Sequence, residues 1–255
     1  VFLFELKDQV AWITLNNSQT RNALSLSLAE AMLSQIKAVS ESNAKALVIY
    51  GEKHFMSGGD INYLANAVFA RDEAAVLRLV DTAHQLVLSL LSLRIPVIAS
   101  VEGSCAGYGM SLLTHCDMAL ASTQSKFVTA YSGIGANPDG GLTFSLPRLV
   151  GQKNALELLT FNELFDAEKA LKIGLVNKVV SPEHLVQETA DWCAKLTQCS
   201  STVFSQNKHL INRQKIPELK IQLEKERNIF KSNVSSPDLA EGLNAFINKR
   251  KPNFA

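Results

Sequence analysis

The chain has little that would fit it for export, for a membrane or for nucleic acid. Its 255 residues hold only four cysteines, Cys105, Cys116, Cys193 and Cys199. They form no C-x-x-C pair and show no metal-like spacing with the five histidines. That predicts reduced, mostly packed thiols, no metal, and an intracellular, cytoplasmic setting. Neither sign of charge is in excess: 25 basic against 24 acidic side chains leave +1, which argues against a protein that grips nucleic acid through its overall field. No apolar run reaches the ~18 residues that cross a bilayer. The first residues lack the basic stretch and apolar core of an export signal, so no membrane partner is expected, and an organellar matrix would require a removed presequence. There is no repeat and no low-complexity tract, and 47% apolar with 19% charged residues describes a soluble globular chain.

What is present is a succession of short apolar runs and amphipathic stretches. Phe2 to Leu6 and Val10 to Leu15 read as two strands joined by a polar turn at Lys7-Asp8-Gln9. Ser25 to Val39 repeats Leu28, Met32, Leu33, Ile36 and Val39 at helical spacing, and Ala46 to Tyr50 reads as the next strand. A long helix is expected over Asp72 to Leu93, strands at Pro96 to Val101 and Met118 to Ala121, and a short apolar helix over Ala106 to Leu113. Further helices are expected at Leu142 to Leu149, Lys153 to Phe161 and Ala167 to Lys172, with a last strand at Val176 to Val180. From Ser181-Pro182, a good helix start, the chain reads as successive helices to Asn248, broken at Ser200-Ser201, Pro217 and Ser235-Ser236-Pro237. The fold class is α/β, with a core over residues 1–195 and a helical region over 196–255.

Two bends carry the chemistry. His54-Phe55-Met56-Ser57-Gly58-Gly59-Asp60-Ile61 follows one strand, and Gly103-Ser104-Cys105-Ala106-Gly107-Tyr108-Gly109 follows another. Side by side, two such bends can aim two backbone N–H groups at one oxygen. Such a pair stabilises the oxyanion of an enolising or attacked thioester, and each donor is worth about 3 kcal/mol in the transition state.

These motifs, with Asn22-Ala23-Leu24, Ile95 to Ala99, Leu146-Pro147-Arg148-Leu149-Val150-Gly151, Gly174 to Val180, Glu241 to Phe246 and Lys249-Arg250-Lys251-Pro252, resemble the crotonase (enoyl-CoA hydratase/isomerase) superfamily in order and spacing. The resemblance implies a spiral of ββα turns with a helical C-terminal trimerisation region, self-association as a trimer or hexamer, and an acyl-CoA substrate. It also implies no metal or redox cofactor, coenzyme A being part of the substrate. It places the oxyanion donors on Gly59 and Tyr108, where many relatives have glycine; the tyrosine keeps its N–H and adds bulk. It implies Arg21 near the CoA phosphates, Ser57 and Ile61 along adenine and pantetheine, and Phe246 and Lys249 approaching CoA from the C-terminal helix. Ala23 and Asp60 join the substrate-binding set, although an aspartate in Asp60's position commonly orients its own loop.

The chain departs from the hydratase pattern at the two glutamates that hold a water. Those positions are Ser111 and Tyr131, both expected to line the pocket and neither a base near neutral pH. The remaining carboxylate is Asp139 in Asn137-Pro138-Asp139-Gly140-Gly141, where some family isomerases place a catalytic aspartate. Pro-Asp-Gly-Gly is equally a good turn in which the aspartate caps the following helix. The favoured expectation is a double-bond shift in an unsaturated acyl-CoA with Asp139 as proton shuttle. The alternatives are another reaction of the superfamily (weak hydration, thioester hydrolysis or decarboxylation) and a catalytically silent acyl-CoA-binding protein.

Overall fold

A computed structural model describes residues 2–254. Leu3–Lys7 (β1) and Val10–Leu15 (β2) form an antiparallel hairpin. Its two turn residues, Asp8 and Gln9, both take positive φ (50° and 63°), the geometry that matches the twist of paired strands. Leu26–Ser40 (α1) starts where the Ser25 hydroxyl accepts the Leu28 amide at 3.1 Å, and it buries Leu28, Met32, Ile36 and Val39 along one face. The chain continues through Ala46–Gly51 (β3), Ile61–Phe69 (α2), Glu73–Ser92 (α3), Val97–Val101 (β4), Ser104–Ala106 (β5), Tyr108–Thr114 (α4), Met118–Ser122 (β6) and Lys126–Val128 (β7). A 3-10 turn at Ser132–Ile134 leads to Leu142–Val150 (α5), Gln152–Phe161 (α6), Phe165–Asp166 (β8), Ala167–Lys172 (α7), Lys178–Val180 (β9), Pro182–Gln198 (α8), Ser201–Asn233 (α9) and Pro237–Ile247 (α10).

The main sheet has the order β1-β2-β3-β4-β6-β9, parallel from β2 onward, and a small sheet has the order β5-β7-β8. Period-two alternation divides its contacts. Leu47 and Ile49 of β3 face the large core shared with α1 and α3, while Ala46 and Val48 face a smaller core with Leu185 and Cys193 of α8. Both faces are therefore covered, which is why β3 and β4 read as continuous apolar runs.

Three sequence readings are corrected. The helix expected over Ala106 to Leu113 is present as α4 but starts later: Ala106 ends β5 and pairs with β7, Gly107 turns, and the helix runs from Tyr108 to Thr114. Pro217 does not break the C-terminal region: α9 runs through it for 33 residues. A proline inside a helix forfeits one hydrogen bond and costs about 3 kcal/mol, but α9 is anchored on both sides. Leu219, Leu223 and Phe230 are buried beyond Pro217, and before it Lys208 donates to Asp117 (2.7 Å) and to the Ile95 carbonyl (3.1 Å). Finally, α3 is long and apolar enough to match a membrane span (mean hydropathy 1.4) despite Arg78 and Asp81. It is packed against α1 and α9, with Val76, Val80, Ala83, Leu86, Val87 and Leu90 in the core, so its apolarity is that of an interior helix. All four cysteines are free; Cys105 and Cys193 are buried and Cys199 is exposed.

Candidate active site

β3 and β4 are adjacent and parallel, so the chain leaves both at the same, carboxyl end of the sheet, the usual place for a ligand crevice in such a sheet. The two bends are laced together there. Met56 N–H donates to the Ser104 carbonyl (3.1 Å), and Ala106 N–H donates to the Met56 carbonyl (2.8 Å). Half-buried His54 also joins them, its Nδ1 accepting from Ser104 N–H at 3.3 Å. Burial first, and then the Arg21 charge, hold this imidazole below its ordinary pKa, which suits an acceptor. His54 is thus a brace between the bends.

The orientation of the two amides follows from what their neighbours do. Gly58 carbonyl accepts from Leu24 N–H (2.7 Å), and Asp60 N–H donates to the Leu24 carbonyl (3.0 Å), forming a parallel bridge. In an extended segment successive N–H groups point opposite ways, so with residue 60 facing Leu24, the Gly59 N–H faces away from it. Tyr108 is the first residue of α4, after Gly107 at φ 51°, and a first-turn N–H has no partner inside its helix. Neither amide has an acceptor among the described residues. Gly58, at φ 110°, presses against this second bend: a Cβ there would sit 3.7 Å from Gly107 Cα and 3.9 Å from Tyr108 N. Only a residue without a side chain takes that conformation freely.

Gly59 and Tyr108 open onto a cavity of about 300 Å³ that is also lined by Asp139 and Tyr131. Leu64 of α2, Val76, Leu79, Val80 and Ala83 of α3, and Phe230 of α9 make its walls apolar. Tyr108 closes one side: its ring packs on Gly140 and its hydroxyl donates to the Ala83 carbonyl at 2.7 Å. Asp139 sits half-buried. Burial pushes its carboxyl up to about 6, against the opposing effect of a Tyr131 hydrogen bond. Tyr131 O–H donates to Asp139 Oδ1 at 2.5 Å, and burial beside Asp139 raises its own pKa further, so it stays a proton donor.

The sequence-predicted residues divide. Ser57, Asp60, Ile61, Tyr131 and Phe246 line the cavity with Gly59, Tyr108 and Asp139, whereas Arg21, Ala23, Ser111 and Lys249 do not. Ser111 is fully buried and donates to the Asp139 carbonyl at 2.8 Å, so it supports the aspartate's backbone where a lining role was expected. Asp60 caps α2, one carboxylate oxygen accepting from Asn62 N–H (3.0 Å) and Tyr63 N–H (3.1 Å). Arg21 and Lys249 are exposed. His115 is a buried structural residue held at the Ser111 carbonyl.

The capping reading of Asp139 is overturned. The N-terminus of α5 has no side-chain cap from it; Glu226 of α9 takes that role. Its carboxylate accepts from Gly141 N–H (2.7 Å), Thr143 N–H (3.1 Å) and the Thr143 hydroxyl. Nothing in the sequence around Glu226 signals this, because the contact spans 85 positions.

A model of the family described as enoyl-CoA hydratase/isomerase matches residues 5–255. The chain is similar to a crotonyl-CoA hydratase from Syntrophomonas wolfei (31% identical over 261 residues, 99% of this chain and 96% of the relative). It is also similar to a trans-2-decenoyl-[acyl-carrier-protein] isomerase from Streptococcus mutans (28% identical, 99% and 97%). A solved enoyl-CoA hydratase from Mycobacterium avium subsp. paratuberculosis superposes with a TM-score of 0.90 at 28% identity, covering 100% of this chain and 98% of that one. The α/β architecture expected from the resemblance is the architecture observed.

Proposed function

The chain belongs to the enoyl-CoA hydratase/isomerase family, and we propose that within it the protein shifts a carbon–carbon double bond in an unsaturated acyl-CoA. One observation carries this reading. The cavity is lined by two carboxylates, and Asp60 is engaged in capping α2, which leaves Asp139 as the acid–base group. Activating a water for addition calls for the pair of glutamates that Ser111 and Tyr131 replace; moving a proton along a carbon chain calls for one.

The thioester carbonyl oxygen rests on the Gly59 and Tyr108 amides. Asp139 takes a proton from the carbon between carbonyl and double bond in a 3-enoyl thioester. The C–H electron pair forms the enolate double bond and the carbonyl pair moves onto the oxygen, where the two N–H groups stabilise it. Asp139 returns the same proton at the far end of the conjugated system, the carbonyl re-forms, and the double bond is left next to it. No atom is gained or lost. Tyr131 occupies Oδ1 and leaves Oδ2 to carry the proton. A carboxyl whose pKa is about 6 both accepts and releases a proton readily near neutrality. Coenzyme A enters as part of the substrate, and no further cofactor takes part.

The apolar walls formed by α2, α3 and α9 support an unsubstituted hydrocarbon tail. Exposed apolar side chains on α6 and α9, among them Leu156, Phe161, Leu210 and Ile211, support self-association as a trimer or hexamer. The Streptococcus mutans isomerase is a relative whose name carries the same reaction type. The test is Asp139→Asn: isomerisation of 3-enoyl-CoA should fall by about 10²–10⁴-fold with acyl-CoA binding retained. Undiminished turnover would remove Asp139 from the mechanism.

A further inference from the structure

The loop that carries Asp139 is held from behind by a segment remote in the sequence. At one end, Asn137 Nδ2 donates to the Glu226 main-chain carbonyl (3.1 Å), and Asn233 Nδ2 donates to Asn137 Oδ1 (3.1 Å). At the other end, the Glu226 carboxylate takes the Gly141 and Thr143 amides and the Thr143 hydroxyl, while Gln222 Nε2 donates to Thr143 Oγ1 at 2.9 Å. Residues 137 and 141 are both fixed, and Asp139 lies midway between them. Glu226 is 2% exposed. A carboxylate at a helix N-terminus is favoured by the helix dipole, and its three donors stabilise the ionised form against burial.

We propose that Glu226 is a positioning residue for the proton-carrying Asp139, clasping both ends of its loop and setting a second negative charge behind it. This rests on the isomerase reading above. Tyr131 and Tyr108 face the Asp139 charge, and His115, just past α4, lies against Gly141; beyond them His115 feels Lys215 of α9 and His84 of α3, and His84 feels Asp81 and Arg227, which pair at 2.5 Å. Burial keeps both tyrosines protonated and holds both histidines near 4. Asp139, at about 6, and Glu226, raised to about 7 chiefly by burial with the Asp139 charge adding to it, both titrate near neutrality. Asp139 loses its proton first and its charge then delays Glu226, so the two carboxyls titrate as a coupled pair over a wider span of pH than either alone.

The experiment is the pH profile of kcat/KM for 3-enoyl-CoA isomerisation in wild type, Glu226→Gln and Thr143→Val. Glu226→Gln keeps the side-chain length and an acceptor but removes the charge. Its acid limb should lose the shoulder that Glu226 ionisation adds near pH 7 and fall as a steeper, single-proton step near 6, with kcat at pH 8 lowered on the order of tenfold and KM little changed. Thr143→Val keeps the Glu226 carboxylate but loses the hydroxyl that donates to it and accepts from Gln222; it should move that shoulder upward, which keeps the test open if the glutamine variant folds poorly. A limb unchanged in position and slope in both variants would overturn the proposal, because a purely structural cap changes the amount of active protein and not the profile. Asp139→Asn run alongside separates the two readings: if it retains activity the isomerase mechanism fails, whereas an inactive Asp139→Asn with wild-type profiles for the other two sinks only the role of Glu226.

Discussion

Removing the Tyr131 hydroxyl should push the acid limb of the reaction upward. Asp139 must be ionised to take a proton, and its carboxyl stands at about 6 because burial raises it while Tyr131 holds it down. The 2.5 Å bond from Tyr131 is a hydrogen bond to a charged group, worth about 1.5–3 kcal/mol, and each 1.36 kcal/mol corresponds to about one pH unit. In Tyr131→Phe the carboxyl should therefore titrate near pH 7–8. At pH 6 the wild-type group is half ionised and the variant's is between roughly a tenth and a hundredth ionised, so kcat/KM should fall about 5- to 50-fold there. At pH 9 the two enzymes should agree within a few fold. The assay is initial-rate isomerisation of a 3-enoyl-CoA from pH 5 to 9. An acid limb that stays at 6 or moves down would show that Tyr131 does not hold Asp139 ionised, and the role given to its hydrogen bond would fall.

Gly107→Ala tests the amide pair. Its φ of 51° and a Cβ 3.2 Å from Gly58 Cα would force the bends apart, lowering kcat about 100-fold. Gly174→Ala, also at positive φ (78°) but with only the Leu149 carbonyl nearby at 3.6 Å, should lose stability with kcat unchanged. His84 and His115 are buried and held near 4. As pH falls below 6.5 the unfolded chain takes protons that the folded one refuses, and stability present above 6.5 is lost down to about 4. Each contributes about 2–3 kcal/mol to that loss by pH 4.5, so urea midpoints of His84→Gln should fall less between pH 7 and pH 4.5 than those of wild type, and an equal fall would contradict the assignment. Asp139 and Glu226 act in the opposite sense: their raised values contribute stability that is present at low pH and lost as pH rises through about 6 and 7.

The two bends and the strands before them were legible because a parallel strand covered on both faces is a continuous apolar run, and a glycine pair after it marks a sharp exit. α1 and α3 were legible from their spacing. α2 was not read, although Asp60 is an N-cap followed by Leu64, Ala65 and Val68 on one face; only nine residues separate the bend from the next turn, too few for periodicity to stand out. β7 and β8, three and two residues long, are defined by partners and not by pattern. Asp139 was legible as a carboxylate in a turn, and its two readings separated only when α9 supplied another acid for the cap. Glu226 could not be found from sequence, since an isolated glutamate in an amphipathic helix is ordinarily solvated and its burial here is decided by tertiary packing. Tyr131 was visible as a missing glutamate, but its bond to Asp139 depends on where the 3-10 turn sets the two side chains.

The most direct measurement follows the carbon skeleton itself. Purified protein is incubated separately with matched 3-enoyl- and 2-enoyl-CoA thioesters, reading conjugation by ultraviolet absorbance and product mass by mass spectrometry. The account predicts that the double bond moves between the two positions with no change in mass. A product heavier by one water, or a bound thioester that never turns over, would contradict it.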